Sequence, residues 1–291
     1  MVGYPFHVLT FGKADVVNFG WAETLGNAAL GQDGLVAAFL LSLRLGALLL
    51  LTPLLYAMSM PATVRVLLVV GLSACLALGL PGASAPVAGL AAAPGPLIAA
   101  AFTELALGAT MALSILAAFA AFSLAGRLLD VQIGFGMAQV LDPATSQPIP
   151  LLTSAFNQVA VLVFFLVNGH HALLRGVAYS LERFPLGRAW PLEATAPIVL
   201  KQVGGLFTLG LALAAPVVVC LLLVELALGV VSRNLPQMNM FVIGIPIKIV
   251  VGLVALSFWF GGMGEAMSRV YASIYRSSDG MFAVAPLPGG R

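Results

Sequence analysis

Four charged residues stand inside otherwise apolar stretches of the chain: Arg44, Glu104, Glu225 and Lys248. Acids and bases in an apolar setting are the chemistry of a proton or ion path. Facing lipid, each would cost about 2.5 to 3.5 kcal/mol on insertion scales, so each must face another helix, a cavity or water. Glu225 and Lys248 lie on consecutive apolar segments and can pair. A proton-coupled carrier of small solutes concentrates its charges near one depth, and these four show no such grouping along the sequence. The favoured reading is therefore that they are buried charges making contacts in an assembly. His170 and His171 follow Asn168 and Gly169. Adjacent residues on a helix point about 100° apart, which makes the pair a poor bidentate metal site. Asn-Gly is a turn signal, so the histidines read as a polar cap at a segment end. No serine, cysteine or aspartate stands with a histidine in a catalytic pattern, and no phosphate-cradling loop is present. The chain therefore reads as a non-enzyme, without cofactor or metal. Cys75 and Cys220 lie within apolar runs and read as small hydrophobes.

A different chemistry, the sealing of a pore, is suggested by residues 126–150, GRLLDVQIGFGMAQVLDPATSQPIP. Gly134 and Gly136 flank Phe135, with Ile133 before and Met137 after, so large soft side chains sit on a backbone free to bend. Asp142-Pro143 then makes a turn, because proline biases the residue before it away from the helical region. Irregular backbone among membrane-type segments survives only where protein buries it or where it lines a cavity. The stretch is either a gate or plug, or a connector packed against neighbouring helices.

One short repeat occurs. Glu104-Leu-Ala-Leu-Gly108 returns as Glu225-Leu-Ala-Leu-Gly229. On a helix each copy places a carboxylate and a glycine on one face, four residues apart. It is either the trace of an internal structural repeat or, the preferred source, coincidence in a chain rich in leucine, alanine and glycine.

The elements that position these residues follow from composition. Of 291 residues, 61% are hydrophobic and 8% are charged, and the mean hydropathy is +1.07. Soluble domains carry roughly 25% charged residues, so this chain cannot clothe a water-facing surface. It is an integral membrane protein or a subunit held in a larger apolar assembly. The net charge of +2 gives no case for nucleic-acid binding. The first thirty-odd residues, with Lys13, Asp15, Glu23 and Asp33, lack the pattern of a cleavable signal peptide. Six apolar segments run over 35–57, 64–80, 97–125, 151–167, 205–231 and 241–264. A spanning helix needs about 20 apolar residues. The second and fourth segments are at the short limit, and the third and fifth are long enough to tilt, kink or project beyond the hydrocarbon. Pro53, Pro216 and Pro246 are expected to kink their segments. Residues 168–204 form the longest polar connection, and the basic residues gathered there and in the tail place both termini in the cytoplasm. The segment 231–252, VSRNLPQMNMFVIGIPIKIVVG, reads as a helical hairpin with a polar tip around Pro236. It is either a plain hairpin or one that stacks against other subunits with its tip near a pore. The expected fold is all-α: a polytopic, membrane-type protein of kinked helical hairpins. Its divisions are an N-terminal extension at 1–34, one helical domain at 35–265 and a tail at 266–291.

Four stretches, taken in order, resemble the FliR/SctT family of type III secretion export-gate proteins. They are FLLSLRLGALLLLTPLL with the following Val64-Arg65, VQIGFGMAQVLDPAT, FFLVNGHHALL leading to Ser180-Leu-Glu-Arg-Phe-Pro185, and SRNLPQMNMFVIGIPIKIVVG. VNGHH and PQMNMFVIGIPIK look flagellar, which favours that branch over the injectisome one. The resemblance implies a structural subunit that assembles with FliP-like and FliQ-like subunits into a helical gate in the bacterial inner membrane and flagellar basal body. A FlhB-like subunit would touch it, and unfolded rod, hook and filament proteins would pass through it. The hairpins would pack on other subunits, partly above the membrane plane. The family's plug loop maps onto Val131 to Pro150, with Ile133, Phe135 and Met137 as sealing side chains. Two features depart from the family pattern: the longer N-terminus and Arg127. No fused FlhB-like domain is expected.

Overall fold

The structure, a computed structural model, describes residues 32–56, 60–79, 87, 90, 93–135, 140–141, 148–188, 192–234 and 240–283. Eight helices lie among them: α1 (Gln32–Leu51), α2 (Ala62–Gly79), α3 (Pro94–Ile133), α4 (Leu151–Leu166), α5 (Gly169–Arg183), α6 (Leu192–Asn234), α7 (Met240–Gly262) and α8 (Gly264–Ala283). The fold is all-α, as composition and the run of apolar segments predict. A two-rung antiparallel ladder is added within the 126–150 stretch, where β1 (Val140–Leu141) pairs with β2 (Pro148–Ile149), Val140 opposite Ile149.

α3 is the axis of the molecule. It opens on a proline, whose missing N–H costs nothing in the first turn, and closes on Gly134 in the left-handed region at φ 98°. It is apolar all round, the signature of a helix buried on every side. It packs against α1, α4, α6 and α8. Leu40, Leu41, Leu45 and Leu48 of α1 meet it from one side, and Phe122, Ala125 and Leu129 lie in its own buried surface. Gly126 sets the approach of α4, since a Cβ there would lie 2.5 Å from the Cα of Thr153.

Four helices, α1, α3, α6 and α7, are long and apolar enough to cross a membrane, and a fifth span results if α4 and α5 count as one broken unit. α3 has 40 residues and α6 has 43, longer than the segments 97–125 and 205–231 that hydropathy marks. At 1.5 Å per residue they reach about 60 Å, twice the ~30 Å of hydrocarbon. Hydropathy ends where charges such as Arg127 and Lys201 appear. Helix formation does not, because arginine and lysine are good helix formers. For the same reason most of the polar connection at 168–204 is helical, divided between α5 and the start of α6.

Pro53 does not kink a helix. α1 ends at Leu51, and residues 52–56 turn away, consistent with proline biasing Thr52 out of the helical region. Pro216 and Pro246 lie inside α6 and α7 as expected, and Pro197 is a further one inside α6. Pro216 leaves the Ala212 carbonyl without its helical donor. At this loosened turn the Trp259 indole of α7 donates to the neighbouring Leu213 carbonyl at 2.8 Å. The tail boundary expected at 265/266 falls inside α8, whose Met267, Val270 and Tyr271 are buried. The Tyr271 hydroxyl donates to the Ala160 carbonyl of α4, and burial pushes this phenol well above its ordinary pKa, so it stays a donor.

α6 and α7 differ from α3 in what covers them. In the most apolar window of α3, 67% of residues are buried, against 22% in α6 and 11% in α7. Phe207, Leu226 and Phe258 are among the large apolar side chains left on the surface of this hairpin.

The glycine contacts give a direct test. Gly126→Val should lower the thermal midpoint of the purified chain, by an amount equivalent to about 1 to 3 kcal/mol of overpacking. Gly204→Ala, where a Cβ meets nothing within 4 Å, should leave it unchanged or raise it slightly.

Candidate functional site

Among the described residues, the largest buried polar cluster is built on Arg44 and Glu104, 60 residues apart in sequence. α1 and α3 run side by side, and Gly108, one turn beyond Glu104, lets them close up: a Cβ there would overlap the Arg44 carbonyl. Arg44 Nε donates to Glu104 Oε2 at 2.6 Å and Nη2 donates to Oε1 at 3.0 Å, a two-pronged ion pair with both side chains 1% exposed. Nη1 donates to the Ser180 hydroxyl of α5 and Nη2 also to the Phe184 carbonyl, both at 3.0 Å. The Gly187 N–H completes the Glu104 shell at 3.0 Å. Gly187 takes φ 78°, a left-handed conformation that suits glycine, and this turns its N–H inward. One ion pair thus joins α1, α3, α5 and the corner after α5. Arg44 and Glu104, expected to find partners in other subunits, find each other within the chain. Their separation in sequence hides a pairing that helix packing makes. Ser180 and Gly187 were not legible as parts of this site.

A second buried carboxylate, Asp130, went unnoticed in the sequence. It lies near the end of α3, 3% exposed. Its Oδ1 accepts the Leu152 N–H at 2.8 Å, and its Oδ2 accepts the Thr153 N–H at 2.9 Å and the Thr153 hydroxyl at 2.7 Å. The signal for it is indirect. α4 starts after Pro150, which supplies no side-chain cap, so the first N–H groups need an acceptor from elsewhere. Asp130 supplies it, and its negative charge suits the positive end of the helix. The ends of the 134–150 stretch are thereby fastened together. Of the residues read as a seal, Ile133 is fully buried against Gly252 of α7, Gly134 caps α3, and Phe135 is half-buried against the core. Gly136, Met137, Asp142 and Pro143 lie outside the described residues.

Glu225 and Lys248 pair as their positions suggest, with Nζ to Oε1 at 2.5 Å, but near the surface: the side chains are 41% and 19% exposed. The polar tip at 235–239 lies outside the described residues. Asn168 and Gly169 break the helix as the turn signal predicts. Asn168 takes φ 55°, and α4 and α5 meet there at 69°. Gly169 is required, because a Cβ would sit 2.5 Å from the Phe164 ring. The His170 ring lies tilted against Phe165 and edge-on to His171, with ring centroids 5.4 and 4.3 Å away.

Removing one partner of the buried pair tests its role. Glu104→Ala leaves the guanidinium uncompensated and should destabilise the chain by about 3 to 5 kcal/mol, while Arg44→Met combined with Glu104→Leu should recover much of the loss. Thermal unfolding in detergent reads both. A double variant no more stable than Glu104→Ala would show that the pair does more than satisfy its own charges.

The family of bacterial export proteins, family 1, matches residues 35–274 of the chain. Flagellar biosynthetic protein FliR of Bacillus subtilis is 38% identical over 159 residues, 54% of this chain and 61% of that protein. The aligned part therefore spans less than two thirds of that relative. FliR of Escherichia coli is 29% identical over 246 residues, 84% of this chain and 92% of the relative. A more distant match is the secretion system apparatus protein SsaT of Salmonella typhimurium, 27% identical over 143 residues, 49% of this chain and 55% of that one. With a family match that runs from α1 into α8, the chain belongs to the bacterial export proteins of family 1, the FliR/SctT family of type III secretion.

Proposed function

We propose that the chain is a structural subunit of the flagellar type III protein export gate, forming part of the channel through which unfolded rod, hook and filament proteins pass. The observation that carries this reading, beside family membership, is the α6–α7 hairpin. Its windows are 22% and 11% buried, and α6 is about twice as long as hydrocarbon is thick. Lipid covers one half of such a helix at most. We read the uncovered apolar face of this hairpin as surface on which neighbouring subunits of a helical assembly pack. The partners are FliP-like and FliQ-like subunits with a FlhB-like neighbour, in the bacterial inner membrane at the flagellar basal body and partly above the membrane plane. The role is structural, without catalysis or cofactor. Val131 to Pro150 is the seal of the closed pore. Its support is the fastening of both loop ends by Asp130 and the seating of Ile133 against α7. A hydrophobic constriction of this kind stops ions by dewetting and yields to a chain that is driven through it. The likeness to SsaT keeps an injectisome export gate as the second reading.

Two experiments test the proposal. An in-frame deletion strain should lose hook-protein and flagellin export into the medium and regain both on complementation. Undiminished export would remove the flagellar assignment. Deleting Gly134 to Met137 should leave complex yield intact and raise ion leakage across the membrane. A deletion that assembles with unchanged conductance would argue for the connector.

A further inference from the structure

Three cations on three different helices stand at one height in the fold. α6 runs beside α3 in the same direction: the Gln202 amide donates to the Ser114 carbonyl at 2.7 Å, and a Cβ on Gly210 would sit 2.9 Å from the Ala121 carbonyl. Lys201 therefore lies at the height of Ser114. α5 passes the same point, since a Cβ on Gly176 would lie 3.9 Å from the Met111 Cε, and Arg175 is the residue before it. α8 crosses there as well. The Tyr271 ring meets Phe122, and a Cβ on Gly280 would lie 3.6 Å from Ile198, one turn before Gln202. Arg276 stands between those two contacts. α8 touches both α5 and α6, so the three helices form one continuous face.

Arg175, Lys201 and Arg276 are exposed, and among the described residues none of them has a carboxylate partner. Arg276 Nε donates to the Ala272 carbonyl of its own helix at 3.4 Å. The acids of this face stand elsewhere. Glu182 and Glu193 are about two turns away along α5 and α6. Glu265 is held by Arg269. Asp279, three positions after Arg276, has a side chain outside the described residues. The surface differs on the two sides of the row. Toward the end of α3 it is bare and apolar, with Leu166 of α4 and Phe207 and Leu211 of α6 exposed. Toward the start of α3 the same face carries Glu182, Arg188 and Glu193, all exposed.

A row of unpaired cations along the edge of an apolar surface is complementary to an amphiphile with an anionic head. A free phosphate ion would use the cations and leave the apolar flank bare. An acidic protein segment would do the same. An acidic phospholipid uses both: its phosphate meets the arginine and lysine heads, and its chains lie on the leucine and phenylalanine beyond them. We infer that Arg175, Lys201 and Arg276 bind the headgroups of acidic phospholipids, and that their row marks where the face of α5, α8 and α6 leaves the bilayer on the cytoplasmic side. Counting basic residues along the sequence gives a side of the membrane. The register of the helices adds a depth and a face. Lipid then covers the stretch of α6 next to Lys201, and the remainder of the hairpin is left to protein. The inference goes beyond the gate reading and requires only that the chain sits in a bilayer.

The test titrates the purified full chain, in a neutral detergent, with dioctanoyl-phosphatidylglycerol, dioctanoyl-phosphatidylcholine, inorganic phosphate or a polyglutamate peptide, and follows its thermal midpoint. A ligand that binds the folded chain raises that midpoint with concentration. Phosphatidylglycerol should reach half of its effect at a concentration at least about tenfold lower than phosphatidylcholine. The triple variant Arg175→Gln, Lys201→Gln, Arg276→Gln should bring the two lipids together. Arg127→Gln with Arg233→Gln, which removes cations outside the row, should keep the preference. The inference is overturned by equal half-points for the two lipids in the wild type, by a triple variant that keeps the preference, or by a control that loses it. A shift with phosphate or polyglutamate equal to that with phosphatidylglycerol also overturns it, and assigns the row to free anions or to an acidic protein segment. If the triple variant does not fold, Arg175→Gln with Lys201→Gln decides by the same comparison. Flagellin export is read separately, so failure here leaves the gate reading standing.

Discussion

Glu104 is a carboxylate in an apolar interior, and its need to be met on every side organises the helices around it. Satisfying it takes a two-pronged guanidinium from α1 and an N–H from the corner after α5. The guanidinium in turn needs the Ser180 hydroxyl and the Phe184 carbonyl. Each added bond recruits another element, and the geometry of all of them is fixed by the planar fork of one arginine. Apolar packing alone tolerates small slides of one helix along another. A bidentate pair does not, so the register of α1 on α3 is set here. Gly108, one turn on, allows the two axes to come close enough for the fork to reach.

Much of this architecture was legible beforehand, and what was missed shares a physical cause. Local signals worked. Asn168-Gly169 announced a break and made one, and Glu225 and Lys248, on neighbouring arms of a hairpin, were near enough in sequence to be paired by inspection. Long-range signals failed. Nothing in the composition links Arg44 to Glu104, or Asp130 to the helix start at Leu152, because those contacts exist only once α3 is laid against its neighbours. Boundaries misled where hydropathy stood in for helix propensity: α3 continues past Arg127, and α6 begins before Lys201. Pro53 ended a helix instead of bending one, because the ring biases Thr52, the single residue between it and Leu51, out of the helical region. The residues expected to form the seal could be followed as far as Phe135, and there the described backbone pauses.

Periodicity could not separate two kinds of apolar helix. α3 and α7 are both nearly free of a polar face, yet one is enclosed by its own chain and the other is bare. Both patterns say only that water is excluded, not by what. The distinction lies in the small residues. Gly108, Gly126 and Gly252 each sit where another element would collide with a side chain. These glycines mark the contacts already made within the chain. The glycines with nothing near them, on α6 above all, mark surface that the chain does not use on itself.

The bare hairpin also constrains how the protein can be made. A chain that leaves Phe207, Leu223 and Phe258 uncovered over the length of two helices has no resting state in water. Copies synthesised ahead of their cover must be held by chaperones or insertases, or cleared by membrane proteases. The order of synthesis matters for the same reason: the two long apolar helices must meet an apolar surrounding as they emerge, not after the chain is finished.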